Sequence, residues 1–203
     1  MNKHIIVAIT GGFATGKTTV AKIIENEGYP VIYTDLIAKE VMTNDKNVIN
    51  AIVDCFGREA FNIDNSINTQ YLSNLVFNNQ EQLDLLNKIV HPKVIELMEK
   101  RLYELVKLGN QLAFVESALI FETALQEGFD YIICVSCDPK IQIQRGMQRH
   151  NLSEQETIKR INSQIPISKK EELSDFTIKN NGSIEDLEQS TLLVLNIIKA
   201  SLE

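Results

Sequence analysis

The sequence predicts an α/β fold, a parallel sheet covered by helices on both faces, and three observations carry that expectation. Short apolar runs alternate along the chain with stretches whose apolar residues have helical spacing. The first apolar run, Ile5 to Thr10, passes through a glycine-rich turn directly into such a helical stretch. Hydrophobic residues make up 44% and charged residues 23% of the 203, the balance of a globular chain long enough for one domain with its own core.

Taken in order, the pattern gives strand 1 at 4–10, helix 1 at 17–27 closed by Gly28, and strand 2 at 29–33, with a helix at 36–42 after it. Strand 3 is Leu112 to Val115, strand 4 is 130–136, and a short strand covers Phe176 to Ile178. A last helix starts near 184, with Leu187, Leu192, Val194, Leu195, Ile197 and Ile198 as its apolar residues. Strands separated by helices argue for a parallel sheet buried on both faces.

Two excursions interrupt this core, which comprises 1–42, 110–137 and 166–203. Residues 43–109 are too many for one crossover and read as a helical insertion. Its helices carry Tyr71, Leu72, Leu75 and Val76, then Leu83, Leu86, Ile89 and Val90, then Val94 to Val106; Pro92 suits the first turn of the third and Gly109 its end. Residues 138–165 form a second, helix–turn–helix excursion. There Gln142, Arg145 and Arg149 share one helix face, and Ser153 with Glu156 makes a capping box for the next helix, which stops before Pro166.

Chemistry enters at Gly11-Gly12-Phe13-Ala14-Thr15-Gly16-Lys17-Thr18, which fits G-x-x-x-x-G-K-[ST] in the required strand–loop–helix setting. Glycines let successive backbone N–H groups turn onto a polyphosphate, and the helix N-terminus adds its partial positive charge. Lys17 then reaches the β- and γ-phosphates, and the Thr18 hydroxyl is a Mg²⁺ ligand. Asp35, just past strand 2, is placed to take a proton from an acceptor hydroxyl or to hold a Mg²⁺-bound water; helix N-cap is an equally good reading of the same residue. Glu116, ending strand 3, stands where a Walker-B-type carboxylate falls. Lys140, Arg145, Arg149, Lys159 and Arg160 read by themselves as a solvated charged face; beside a triphosphate they are expected to supply positive charge for the transferring phosphoryl group.

Other classes are disfavoured. A net charge of −7 and a pI of about 5.1 argue against a nucleic-acid surface. No apolar stretch approaches the ~18 residues of a membrane span, and Ile5 to Ile9 is too short for a signal peptide, so a cytoplasmic protein is expected. Cys134-Val135-Ser136-Cys137 spells C-x-x-C, but on a strand its two cysteines face opposite ways and read as buried. A nucleotide switch would need a base-reading motif such as N-K-x-D, and the chain has none.

These residues, in order, resemble the dephospho-CoA kinase family. The resemblance rests on Thr10 to Ala21, Gly28-Tyr29-Pro30-Val31-Ile32-Tyr33-Thr34-Asp35, Phe56-Gly57, Val76-Phe77, His91-Pro92, Ala118-Leu119-Ile120-Phe121-Glu122, Gln142, Arg145, Arg149 and Asp175 to Gly182. It implies a P-loop NTPase fold with strand order 2-3-1-4-5, ATP and Mg²⁺, and transfer of the γ-phosphoryl to the ribose 3′-hydroxyl of dephospho-CoA. By the same resemblance Asp35 is the catalytic acid/base, with Lys17 and Arg145 beside it in the chemistry. Ala14, Thr15, Gly16, Lys17, Thr18 and Thr19 form the ATP loop, Arg145 and Arg149 close a lid over the phosphates, and Asn180 to Gly182 bracket adenine. Thr10, Asp35, His91, Glu116 and Leu119 belong to the acceptor side, and residues 43–109 form the CoA-binding insertion. A monomer or weak homo-oligomer is expected.

Four positions depart from the family's pattern. Ala14 stands at a usual glycine, Tyr33 at the first Asp of Asp-x-Asp, Thr69 at a customary Arg, and Ala118 at a Pro. Thr69 thereby puts one substrate-anion contact in question, and Ala14 demands a loop conformation that a Cβ tolerates. The runner-up activity is a nucleoside or nucleoside-monophosphate kinase, which shares the loop, the lid arginines and the strand-2 carboxylate.

Overall fold

The structure, a computed structural model, describes residues 4–76 and 79–202 apart from the His150 side chain; Phe77, one of the residues of the family resemblance, lies outside the described residues. In chain order the elements are β1 (Ile5–Gly11), α1 (Lys17–Asn26), β2 (Val31–Tyr33), α2 (Thr34–Asn44), α3 (Lys46–Phe56), α4 (Thr69–Val76), α5 (Gln80–Lys107), β3 (Leu112–Glu116), β4 (Tyr131–Ser136), α6 (Pro139–His150), α7 (Glu154–Asn162), α8 (Ile167–Leu173), β5 (Phe176–Lys179) and α9 (Ile184–Ala200). Contacts divide the chain into two compact units, residues 1–32 with 104–203, and residues 33–103.

The first unit is built on a five-stranded sheet of order β2-β3-β1-β4-β5, the order that the resemblance implied. β1 runs parallel to β3 and β4, and β4 parallel to β5. All of β3, and all but one residue each of β1 and β4, are buried. That is why these strands read as unbroken apolar runs and not as alternating ones: a parallel sheet is covered on both faces. Helices α1 and α9 pack on each other, α1 also on β1 and β3, and α8 on β1 and β4. α1 buries Val20, Ala21 and Ile24, and α9 buries Leu187, Thr191, Val194, Leu195 and Ile198. Ser183 starts α9 as a capping box with Asp186, and Ser153 does the same for α7 with Glu156, the latter as the sequence predicts.

The second unit is helical. Asp45 caps α3 by accepting from the Asn47 and Val48 backbone N–H groups, and α3 turns Val48, Ile52 and Phe56 inward. Arg101 pairs with Glu40 at 2.5 Å, bridging α5 to α2. One expectation fails here. The second and third helices of the insertion are a single helix, α5, that runs straight through Pro92. Proline inside a helix removes one backbone bond and crowds the carbonyl four residues earlier, a cost of ~3 kcal/mol or more. Burial of Val90, Val94, Met98 and Leu102 along one stripe offsets it, because a break at 92 would part Val90 from the three residues that continue that stripe. Helices α3 and α8 are also absent from the sequence reading. For α3 the signal was available: a capping Asp45, apolar residues at 48, 52 and 56, and Gly57 at the exit.

Candidate active site

Between the end of β1 and the first turn of α1, the chain makes the loop that the glycine spacing predicts. Gly16 is the N-cap of α1 with φ of 104°, in the left-handed region, and a Cβ there would collide with the Asn180 amide. Only glycine meets both conditions. The helix begins at Lys17, so backbone N–H groups of its first turn and its dipole favour an anion at this point. Carbonyls of the loop are taken up by neighbours: Gly12 O accepts from Lys17 Nζ at 2.9 Å and from Thr15 Oγ1 at 3.0 Å, and Thr15 O accepts from Asn180 Nδ2 at 2.9 Å.

Ala14 adopts φ of 58°, so the loop keeps the left-handed turn that glycine would make there, at a side-chain cost of ~1–2 kcal/mol. Ala14→Gly relieves that cost but loosens the unfolded chain by ~0.4–1 kcal/mol. The expected net result is a stabilisation between zero and about 1.5 kcal/mol in chemical denaturation, with turnover retained.

The structure brings several predicted residues together and leaves others apart. Arg145 on α6 donates to Asn180 O at 2.8 Å, and Asn180 in turn holds the loop at Thr15. Arg149 lies exposed one turn further along α6. Glu116 is buried at the end of β3, in register with Ile9, and Thr10 is fully buried with its hydroxyl unpartnered among the described residues. Leu119 is half-buried in the turn after β3, where its N–H donates to Ser117 Oγ at 3.3 Å. Gly182 stands next to Ser183, the cap of α9.

One pair near this turn has no counterpart in the sequence reading. Lys170 of α8 is wholly buried, donating to Ala118 O at 2.6 Å and pairing with Glu122 at 2.7 Å. Glu122 also accepts from the Ile165 N–H at 3.0 Å, so it ties the turn after β3 to the chain that enters α8. Removing one member strands the other charge in a dry site. Lys170→Met is therefore expected to cost ~3–5 kcal/mol in urea denaturation, and Lys170→Met with Glu122→Leu to recover most of it. A double variant as unstable as the single one would show that shape and not charge holds this turn.

In the second unit, Asp35 is the second residue of α2 and is exposed; Tyr33 holds the N-cap position. The helix-cap reading of Asp35 is thus corrected, because a cap residue must precede the helix to reach its first N–H groups. His91 lies half-buried on α5, and burial holds its imidazole below the ordinary 6.5. The unfolded chain then takes up a proton at His91 that the folded chain resists, so stability falls as pH drops through 6.5 toward the folded value. The urea midpoint is expected to fall more between pH 7.5 and 5.5 for the native chain than for His91→Gln, which has nothing to titrate there.

A family profile described as dephospho-CoA kinase matches residues 5–186. The chain belongs to the dephospho-CoA kinase family. Against the dephospho-CoA kinase of Bacillus thuringiensis subsp. konkukian it is 38% identical over 180 residues, covering 89% of this chain and 90% of the relative. The dephospho-CoA kinase from Campylobacter jejuni superposes with a TM-score of 0.72 at 28% identity, over 98% of each chain. TT1252 from Thermus thermophilus does so with a TM-score of 0.78 at 30% identity, over 96% of this chain and 97% of the other. Membership of the dephospho-CoA kinase family makes this chain an enzyme, a phosphotransferase. No helix among the described residues is long and apolar enough to cross a membrane.

Proposed function

We propose that the chain transfers the γ-phosphoryl group of ATP to the ribose 3′-hydroxyl of dephospho-CoA, giving coenzyme A in the last step of its biosynthesis, in the cytoplasm. The observation that carries this reading is the phosphate loop: Lys17 at the first position of α1, beneath a left-handed Gly16, in a chain of this family. Phosphoryl transfer leaves the protein little covalent chemistry, so positioning and charge are the work to be done. Lys17 holds the β- and γ-phosphate oxygens, and Arg145 adds charge as the γ-group leaves ADP. Arg149 covers the triphosphate, and Asn180 with Gly182 flanks the base.

Asp35 is the carboxylate that takes the ribose proton, and Thr10, His91, Glu116 and Leu119 belong to the acceptor side. Residues 43–109 serve as the acceptor-binding insertion and 138–165 as the lid. Among the described residues no group of three or more His, Cys, Asp or Glu is placed to hold a metal ion. Mg²⁺ in such sites takes one or two protein oxygens and draws the rest from phosphates and water. The Thr18 hydroxyl and one carboxylate fit that need, and the bound ion would supply charge neutralisation across the phosphate oxygens.

The test is mass spectrometry of the product formed from ATP, Mg²⁺ and dephospho-CoA, with AMP, CMP and nucleosides offered in parallel. One added phosphoryl group, on the ribose of dephospho-CoA only, is the expected result. Turnover of AMP or CMP in its place would make the chain a nucleotide kinase.

A further inference from the structure

We infer that Gln142, supported by Gln164, is a positioning residue for the phosphate loop, holding the Phe13–Ala14 peptide in the orientation that donor binding requires. Gln142 lies on α6 and is buried, with 3% of its surface exposed. Its amide Nε2 donates to the Phe13 carbonyl at 2.7 Å. The Phe13 N–H donates to Gln164 Oε1 at 2.8 Å, just beyond the end of α7. Both backbone groups of one loop residue are thus held by side chains from the two ends of the 138–165 segment. Arg160 of α7 adds a third contact, with its guanidinium 5.6 Å from the centre of the Phe13 ring.

A buried amide that merely found a partner would not need the loop to be shaped around it. Here the loop is. A Cβ on Gly12 would lie 2.7 Å from Gln142 Nε2, so the absence of a side chain at 12 is what admits the amide. In a trans peptide the C=O and the following N–H point opposite ways. Pinning the Phe13 carbonyl against Gln142 therefore directs the Ala14 N–H to the other side of the loop, where the phosphate-loop reading puts the donor's phosphates. The inference rests on the phosphate-loop reading above. It assigns to Gln142 and Gln164 a part in the reaction without contact to substrate, through the backbone they fix.

The experiment compares Gln142→Leu, Gln142→Glu and Gln164→Leu with the native chain and with Lys17→Ala, varying ATP and dephospho-CoA separately and measuring ADP binding at equilibrium. Losing this bond takes the Gln142 amide from the part-buried Phe13 carbonyl and frees the peptide to turn, so Gln142→Leu should lower kcat/KM for ATP by roughly 5- to 100-fold and weaken ADP binding. The KM for dephospho-CoA should stay within about twofold, because that substrate's subsite keeps its residues. Gln142→Glu keeps the side chain's shape, covers the case in which the leucine variant does not fold, and should be the worse of the two, since it sets a carboxylate against a carbonyl and a triphosphate. Gln164→Leu should move the same quantities in the same direction by less. Native kinetics in the Gln142 variants, or an equal loss for both substrates with unchanged ADP binding, overturns the inference while Lys17→Ala still loses turnover. Native turnover in Lys17→Ala overturns instead the phosphate-loop reading on which it rests.

Discussion

Lys17→Ala is expected to lower turnover by roughly 10³-fold or more while the protein stays folded. The size of the effect follows from the reaction class: in phosphoryl transfer the protein contributes charge and position and little else. Lys17 is half-buried, and its ammonium already lies at the mouth of the loop, 2.9 Å from the Gly12 carbonyl. The same bond closes the loop on itself, so alanine removes both the charge and one tie across the turn. Thr15 Oγ1 also donates to Gly12 O, at 3.0 Å, and preserves the closure. The expected signature is therefore a collapsed kcat with a melting temperature near that of the native chain. Near-normal activity would make the Gly11–Thr18 spacing incidental.

Asp35→Asn has the second-largest expected effect, a fall in kcat of about 10²- to 10⁴-fold with substrate binding retained. An amide has no basic oxygen for the ribose proton. The structure sharpens this test. At the second position of α2, Asp35 is not the residue whose side chain caps the helix, so asparagine costs only the carboxylate's attraction to the helix dipole, ~0.3–1 kcal/mol at an exposed site. A change confined to kcat marks an interaction made in the transition state. If kcat is unchanged, Asp35 has no part in the chemistry, and Glu116, buried at the end of β3, is the next carboxylate to replace.

The parts of this fold that were legible in the sequence are those encoded over short stretches. The strand–loop–helix around Gly16 and Lys17 is written in consecutive residues, and the buried strands announce themselves as apolar runs. The Ser153–Glu156 capping box is likewise local, and α7 starts where it predicts. Pro92 misled because its local penalty is real, while the burial that outweighs it comes from Val90, Val94, Met98 and Leu102 together. Glu122 and Lys170 were opaque for another reason: each is an ordinary surface residue by type, and only folding reveals that they neutralise each other out of water. Gln142 stood out by its spacing with Arg145 and Arg149, which suggested a charged face over phosphate. Its buried contact with the loop is a property of shape at Gly12 and not of charge.

The cysteines have a practical bearing. Burial pushes the Cys134 thiol up to about 12 and raises that of Cys137 as well, whereas Cys55 on α3 is exposed. Thiolate is the reactive form, so an alkylating dye at neutral pH meets a single ready partner, in the helical unit. Cys134 lies within β4, and its thiol becomes available only when the sheet itself opens, whereas Cys137 follows the end of that strand. Slow labelling of Cys134 is thus an internal clock for opening of β4, readable in the intact enzyme without denaturant, and any ligand that tightens the first unit should slow it.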